Sequence, residues 1–306
     1  MHTRSRLLLR LFALLAWLSS APLLAQSFVD LVDFPRNEAN WDRFYSLEAH
    51  LARRFDAVCA DTLCEGDYSN LRALQLRCSV NAASEQVHAC TWVFIASALE
   101  VDADTGQVQA DNRRWECPLP LGAGVPVEDF HAALAVDEPL AVTLPGAQVA
   151  LGAAVGACLQ APRREAALQR SADRYVDARN YPRPGQGHGP LSALEKALVR
   201  GFDDVCGDTF CEGEYYNLQA MRLRCSVQAA SGNVGECVWT FAGSNMDVDA
   251  PTGRVVVDAR DWACRLPLAP HTPLPLLLDA LQGPEAIDTT LPGTTTTVYE
   301  GLTHCL

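Results

Sequence analysis

Lysine is almost missing from this chain: of its 24 basic residues only Lys196 is a lysine, and the 23 arginines are scattered without forming a stripe. Proteins that grip nucleic acid or an anionic membrane surface need clustered cations, so neither partner is expected. There is no CxxC pair, and the four residues between Cys59 and Cys64, or between Cys206 and Cys211, do not suit a zinc site. Beyond the first 25 residues no apolar run approaches the ~20 residues that a membrane-spanning helix needs. Disorder is excluded as a class by 49% hydrophobic and 20% charged residues.

At the N-terminus, Arg4, Arg6 and Arg10 precede an apolar run from Leu11 to Leu18, and small residues follow. This is the pattern of a signal peptide, residues 1–25, with cleavage expected after Ala25. Its removal leaves 21 basic against 37 acidic residues, a formal charge of −16. The expected product is a soluble acidic protein, periplasmic or secreted.

The stretch Cys59 to Val80, CADTLCEGDYSNLRALQLRCSV, returns as CGDTFCEGEYYNLQAMRLRCSV from Cys206 to Val227. All six cysteines of the first half (Cys59, Cys64, Cys78, Cys90, Cys117, Cys158) recur 147 residues later as Cys206, Cys211, Cys225, Cys237, Cys264 and Cys305. Residues 27–159 align with 174–306 without a gap, and 57 of the 133 pairs are identical. The chain therefore reads as a tandem duplication, repeat domains 27–159 and 174–306 joined by linker 160–173. Twelve cysteines behind a signal peptide predict a disulfide framework in an oxidising compartment.

Within each unit, Phe44, Leu47, Leu51, Phe55 and Val58 are spaced by threes and fours, which predicts an amphipathic helix over residues 41–58. In its copy, Leu194, Leu198, Phe202 and Val205 share one face, and Ser192 with Glu195 has capping-box spacing. The pattern then alternates. Leu74, Leu76, Cys78 and Val80 share one face of a strand, Cys90, Trp92 and Phe94 one face of the next, and a turn at Gly106 leads to a third strand carrying Trp115 and Cys117. A short helix at 127–135 and a last strand complete the unit. The predicted class is α+β, in which an N-terminal helix packs on an antiparallel sheet in the rough order α-β-β-β-α-β. The helix followed by a meander is similar to cystatin-like folds, and V-D-A-x-T-G-x-V is similar to hairpins of small secreted regulatory domains; neither likeness carries a function.

Strand position and loop length predict the cysteine pairing. Cys78 and Cys90 lie on one face of a hairpin, as do Cys225 and Cys237. Cys117 with Cys158, and Cys264 with Cys305, would tie the third strand to the end of the unit. That leaves Cys59–Cys64 and Cys206–Cys211.

The candidate site is the repeated acidic turn, Asp61, Glu65, Asp67 and Asn70 with Asp208, Glu212, Glu214 and Asn217, whose oxygen ligands are of the kind that calcium prefers. The spacing is not that of an EF-hand, and the same residues serve as ordinary caps and turns. No histidine is shared: His50, His88 and His131 face Ala197, Gly235 and Leu278, while His188, His271 and His304 face Trp41, Gly124 and Ala157. A triad or histidine metal site belonging to the repeated unit is thus excluded. The shared Tyr68/Tyr215, Trp92/Trp239 and Trp115/Trp262 are expected to fill the core or its rim. The expectation is a non-enzymatic binding or interaction module for a protein, peptide or glycan ligand. An envelope hydrolase using the acidic turn and a structural envelope component are the alternatives.

Overall fold

A computed structural model describes residues 27–62, 64, 68–160 and 174–306, with the side chains of 60–62 excepted. The expected signal peptide, all of the linker but Gln160, and Glu65 and Asp67 of the acidic turn lie outside the described residues, as does the side chain of Asp61.

The first half opens with a short strand β1 (Phe28–Asp30) and a 3-10 turn, then the long helix α1 (Glu38–Thr62). A meander follows: β2 (Arg72–Asn81), β3 (Gln86–Val101) and β4 (Val108–Pro118). The half ends with β5 (Val125–Pro126), α2 (Val127–Leu134) and α3 (Leu151–Cys158). The sheet runs β1-β2-β3-β4, antiparallel throughout, and β5 pairs with β3. The second half follows the same order with β6 (Tyr175–Asp177), α4 (His188–Cys206), β7 (Gln219–Gln228), β8 (Val234–Val248), β9 (Val255–Arg265), α5 (Leu274–Ala280) and α6 (Val298–Thr303), and its sheet runs β6-β7-β8-β9. The fold is α+β, with two antiparallel sheets and six disulfides.

Of the apolar face predicted for the first helix, four residues are buried and the last, Val58, is exposed. Phe44, Leu47, Leu51 and Phe55 pack on Trp92, Phe94 and Leu76, with the Phe55 ring 4.8 Å from that of Phe94. Cys78 stands directly opposite Cys90 in the β2–β3 register, and Cys225 opposite Cys237. Bonds join Cys59–Cys64, Cys78–Cys90, Cys117–Cys158, Cys206–Cys211, Cys225–Cys237 and Cys264–Cys305.

Two expectations are corrected. The last element of each half is a helix, not a strand. Leu151 and Val155 are four residues apart in an alanine- and glycine-rich run, and a helix buries both on one side. In the second half Val298 and Leu302 do the same behind a capping box of Thr297 and Glu300. The second correction concerns the capping box read at Ser192. Helix α4 begins at His188, so Ser192 lies inside it. Glu195 instead accepts the backbone N–H of Leu223 (2.8 Å) and pairs with Arg179 (3.0 Å).

The central strands of each sheet are covered on both faces. One lies under its helix, and the other meets the opposite sheet, giving the layers helix, sheet, sheet, helix. Leu74, Val93 and Ile95 pack there against Met221, Ala242 and Met246, and Leu99 and Val108 against Val238. Two of the polar contacts across this interface recur as exchanged pairs. Ser79 Oγ donates to the Gly253 carbonyl and Ser226 Oγ to that of Gly106, both at 2.5 Å. The Phe28 N–H donates to Ala250 O and the Tyr175 N–H to Ala103 O, both at 2.9 Å. Exchanging the halves maps each contact onto its mate, as in an isologous dimer interface. Gly106 and Gly253 answer two demands at once. Each has positive φ (76° and 70°), and a Cβ there would come within 2.5 Å of the Tyr175 ring or 2.6 Å of the Phe28 ring of the other half.

Candidate functional site

The acidic turn is the first place to look. Its asparagines are structural: Asn70 Oδ1 accepts from the Ser97 N–H (3.1 Å), and Asn217 bonds Ser244 through both amide atoms at 2.8 Å. These contacts hold the turn to β3 and β8. Asp208, Glu212 and Glu214 are exposed. Among the described residues no group of three or more His, Cys, Asp or Glu is arranged to hold a metal ion.

Of the shared aromatics, Trp92 and Trp239 are fully buried in the two cores, Tyr68 is buried, and Trp115 and Trp262 pack on the cores from the rim. The exposed aromatics are others. Trp41, Tyr45 and Tyr216 are 43%, 43% and 44% exposed, and each occupies a position at which the other half carries a different residue: His188, Ser192 and Ser69. Trp41 and Tyr45, one turn apart on α1, share a face. Tyr216 reaches this region from the second half, and its hydroxyl lies 3.3 Å from the Arg77 guanidinium. Trp41 is fixed by its indole N–H, which donates to Asp33 (3.1 Å).

Beneath these rings lies a buried polar network. Arg77 pairs with Asp30 at 3.0 Å, and the Gln75 amide is oriented by its neighbours: its oxygen accepts from Arg77 (2.6 Å) and Tyr216 (2.7 Å), its nitrogen donates to Ser244 Oγ (3.1 Å). Burial pushes the Asp30 carboxyl up to about 6 despite the opposing pull of Arg77. Burial likewise raises Glu48, whose Oε1 accepts the Leu76 N–H at 2.6 Å. Burial opposes the charge on Arg77, but Asp30 and the surrounding oxygens more than offset it and keep the guanidinium protonated. Among the described residues this network leaves only the buried Arg77 Nε without a hydrogen-bond partner and aims no free acid at solvent.

The related edge on the opposite side of the interface is chemically different. There a cleft of about 740 Å³ between the halves is lined by Arg72, Arg179, Lys196, Arg200 and Arg222, with Asp56 and Glu195 the acids. Arg222 stands where the first half has Gln75 and Lys196 where it has Ala49.

A third feature belongs to the first half alone. A 440 Å³ pocket is lined by Arg43, Leu47, His50, Glu128 and His131, among others. Arg43 grips both Glu128 oxygens at 2.8 Å, His50 Nε2 bonds the Val136 carbonyl at 2.9 Å, and buried His131 Nε2 has no partner. Burial, reinforced by Arg43 and opposed by Glu128, pushes His131 down to about 4. Among the described residues neither histidine bonds a hydroxyl or a carboxylate, so the hydrogen-bonded relay of a nucleophilic triad is not assembled here.

Sequence reasoning placed the shared residues in cores and turns and passed over the exposed aromatics and the cationic cleft, which occupy positions where the halves differ. The signal was in the mismatches of the self-alignment. Six disulfides, with no helix among the described residues long and apolar enough to cross a membrane, fit an exported protein. No family model matches the chain, nor does any curated protein or solved structure.

Proposed function

We propose that the protein is a non-enzymatic binding module of the periplasm or the extracellular space, taking a protein, peptide or glycan ligand on the face formed by Trp41, Tyr45 and Tyr216. The supporting observation is their exposure. Three large aromatic rings are left about 43–44% exposed on one side of the interface, whereas the other aromatics among the described residues are buried or half-buried. Each ring offers a flat apolar surface with a polar tip, which suits stacking against sugar rings or peptide groups. Trp41 and Tyr45 are held on a 25-residue helix, so little conformational freedom is lost on binding. Of the acidic turn, Asp208, Glu212 and Glu214 project singly into solvent, and they serve here as turn residues.

The test is capture from the source organism's envelope extract by immobilised protein, repeated with Trp41→Ala, Tyr45→Ala and Tyr216→Ala combined. The expected result is that the captured ligand is lost while near-UV circular dichroism still reports a folded core. Undiminished capture by the triple variant overturns the assignment.

A further inference from the structure

We infer that the cleft between the halves on the Arg222 side is a binding site for a small polyanion bearing phosphate, sulfate or carboxylate groups. Its volume, about 740 Å³, falls in the range of small-molecule sites. Among the described residues its walls hold more cations than carboxylates pair with. Arg179 is paired with Glu195 at 3.0 Å, and Arg72 with Asp56 at 3.7 Å. That uses both acids among the described lining residues, and among the described residues Arg222, Lys196 and Arg200 have no carboxylate partner.

Arg222 is the decisive residue. It is partly buried, and the one hydrogen bond its guanidinium makes among the described residues is to Ser69 Oγ at 2.7 Å. A guanidinium carries five donors in a fork that fits two oxygens of one anionic group. Burial pushes its pKa down to about 10, reinforced by the positive charges of Arg179 and Arg224. Glu195 and Asp177 offset this only in part; a partly buried cation whose charge is incompletely compensated is costly to keep, and an anionic ligand lowers that cost. The fold does not itself require the charge, because the matching position in the first half is Gln75, a neutral amide with its own bonds satisfied. Lys196 and Arg200 are exposed on α4, one turn apart, where they can meet a second oxyanion group. In a chain of net charge −13, the only lysine thus lies at a local cationic surplus.

This site is separate from the aromatic face, and its test does not depend on that reading. Titration calorimetry of the exported chain at low salt would use three probes: inorganic pyrophosphate, a sulfated disaccharide and tricarballylate. Saturable binding of at least one is expected, and the ranking of the three identifies the preferred oxyanion. Arg222→Gln, which installs the residue found at position 75, should weaken binding by about tenfold or more, as loss of a charge-assisted contact implies. Lys196→Ala with Arg200→Ala, both exposed and so harmless to the fold, should weaken it several-fold. Arg36→Gln, an equal loss of charge at an exposed position elsewhere, should leave it unchanged. The inference is overturned if no probe saturates up to about 1 mM, a weak-binding limit, or if all three variants weaken binding equally, which would reduce it to the general field.

Discussion

His131 gives the fold a pH dependence that can be separated from everything else. The side chain is 6% exposed and its pKa is pushed down to about 4, chiefly by burial, against about 6.5 in an unfolded chain. Between those values the unfolded chain binds a proton that the folded chain refuses. Stability therefore falls as pH drops from about 6.5 towards 4, with the loss complete below 4. A gap of about 2.5 units corresponds to about 3.4 kcal/mol at most. Water in the adjoining pocket screens the charge, which brings the expected loss nearer 2 kcal/mol. Replacing His131 by Leu, the residue at the matching position 278, removes the titration and abandons no hydrogen bond at Nε2, which has no partner. The assay is urea unfolding of both proteins at pH 7.5, 6, 5 and 4. The carboxylates are common to both, so the difference between the two curves isolates His131. It should be near zero or slightly favour the variant at pH 7.5 and grow by about 2 kcal/mol by pH 4. Parallel curves would refute the reasoning.

Removing the Cys117–Cys158 bridge, whose cysteines are 41 residues apart, should cost about 4 kcal/mol in guanidinium unfolding, and removing Cys59–Cys64, 5 apart, only about 2, because the chain-entropy effect grows with loop length. We propose that residues 27–159 and 174–306 each fold as a unit; made separately, they should each form three disulfides and then associate one-to-one on mixing, measured by analytical ultracentrifugation. Two halves that stay monomeric when mixed would show that the shared apolar face does not hold them together. Glu65→Gln with Glu212→Gln should leave ligand capture intact and the melting temperature nearly unchanged; a folded double variant that had lost a hydrolytic activity of the parent would reinstate the acidic turn as a catalytic site.

Period-two and period-3.6 patterns were enough to place the main helix on the meander, because Phe44, Leu47, Leu51 and Phe55 must share a face and Cys78 must meet Cys90. The same patterns hid the second buried face. Val93 and Ile95 alternate with Trp92 and Phe94, so β3 is apolar on both sides, and a continuous apolar run does not say what lies on the far side. The helix at Leu151–Cys158 was missed because LGAAVGAC has few large residues to set a period and the cysteine drew the reading towards a strand. For the site the difficulty was of another kind. Identity between the halves marks what both must keep, such as Glu48 and Glu195, each of which accepts a backbone N–H of the neighbouring strand. Trp41, Tyr45, Tyr216, Lys196 and Arg222 are all mismatches, and self-comparison alone discards them.

The division between matched and mismatched residues follows from the geometry of the interface. Two identical chains related by a two-fold axis must present the same side chains at both edges of their contact. Whatever one edge binds, the other binds as well. Covalent linkage removes that constraint even within the contact, where Leu74, Ile95 and Leu99 stand at positions that carry Met221, Ala242 and Met246 in the other half, yet some exchanged contacts persist. Ser79 and Ser226 still reach Gly253 and Gly106 in exchange, and the two glycines still admit Tyr175 and Phe28. Outside those contacts the edges are free to differ, and they do. Position 75 with its mate at 222 shows how few changes suffice. As Gln75 the side chain bridges Arg77, Tyr216 and Ser244 in a closed network under exposed aromatics. As Arg222 its guanidinium reaches, among the described residues, only Ser69 and leaves donors facing an open cleft. One edge therefore ends in rings and the other in cations, on a shared frame that needs neither. The two proposed ligands would sit at opposite edges of the same contact, and each variant set should weaken one binding and spare the other.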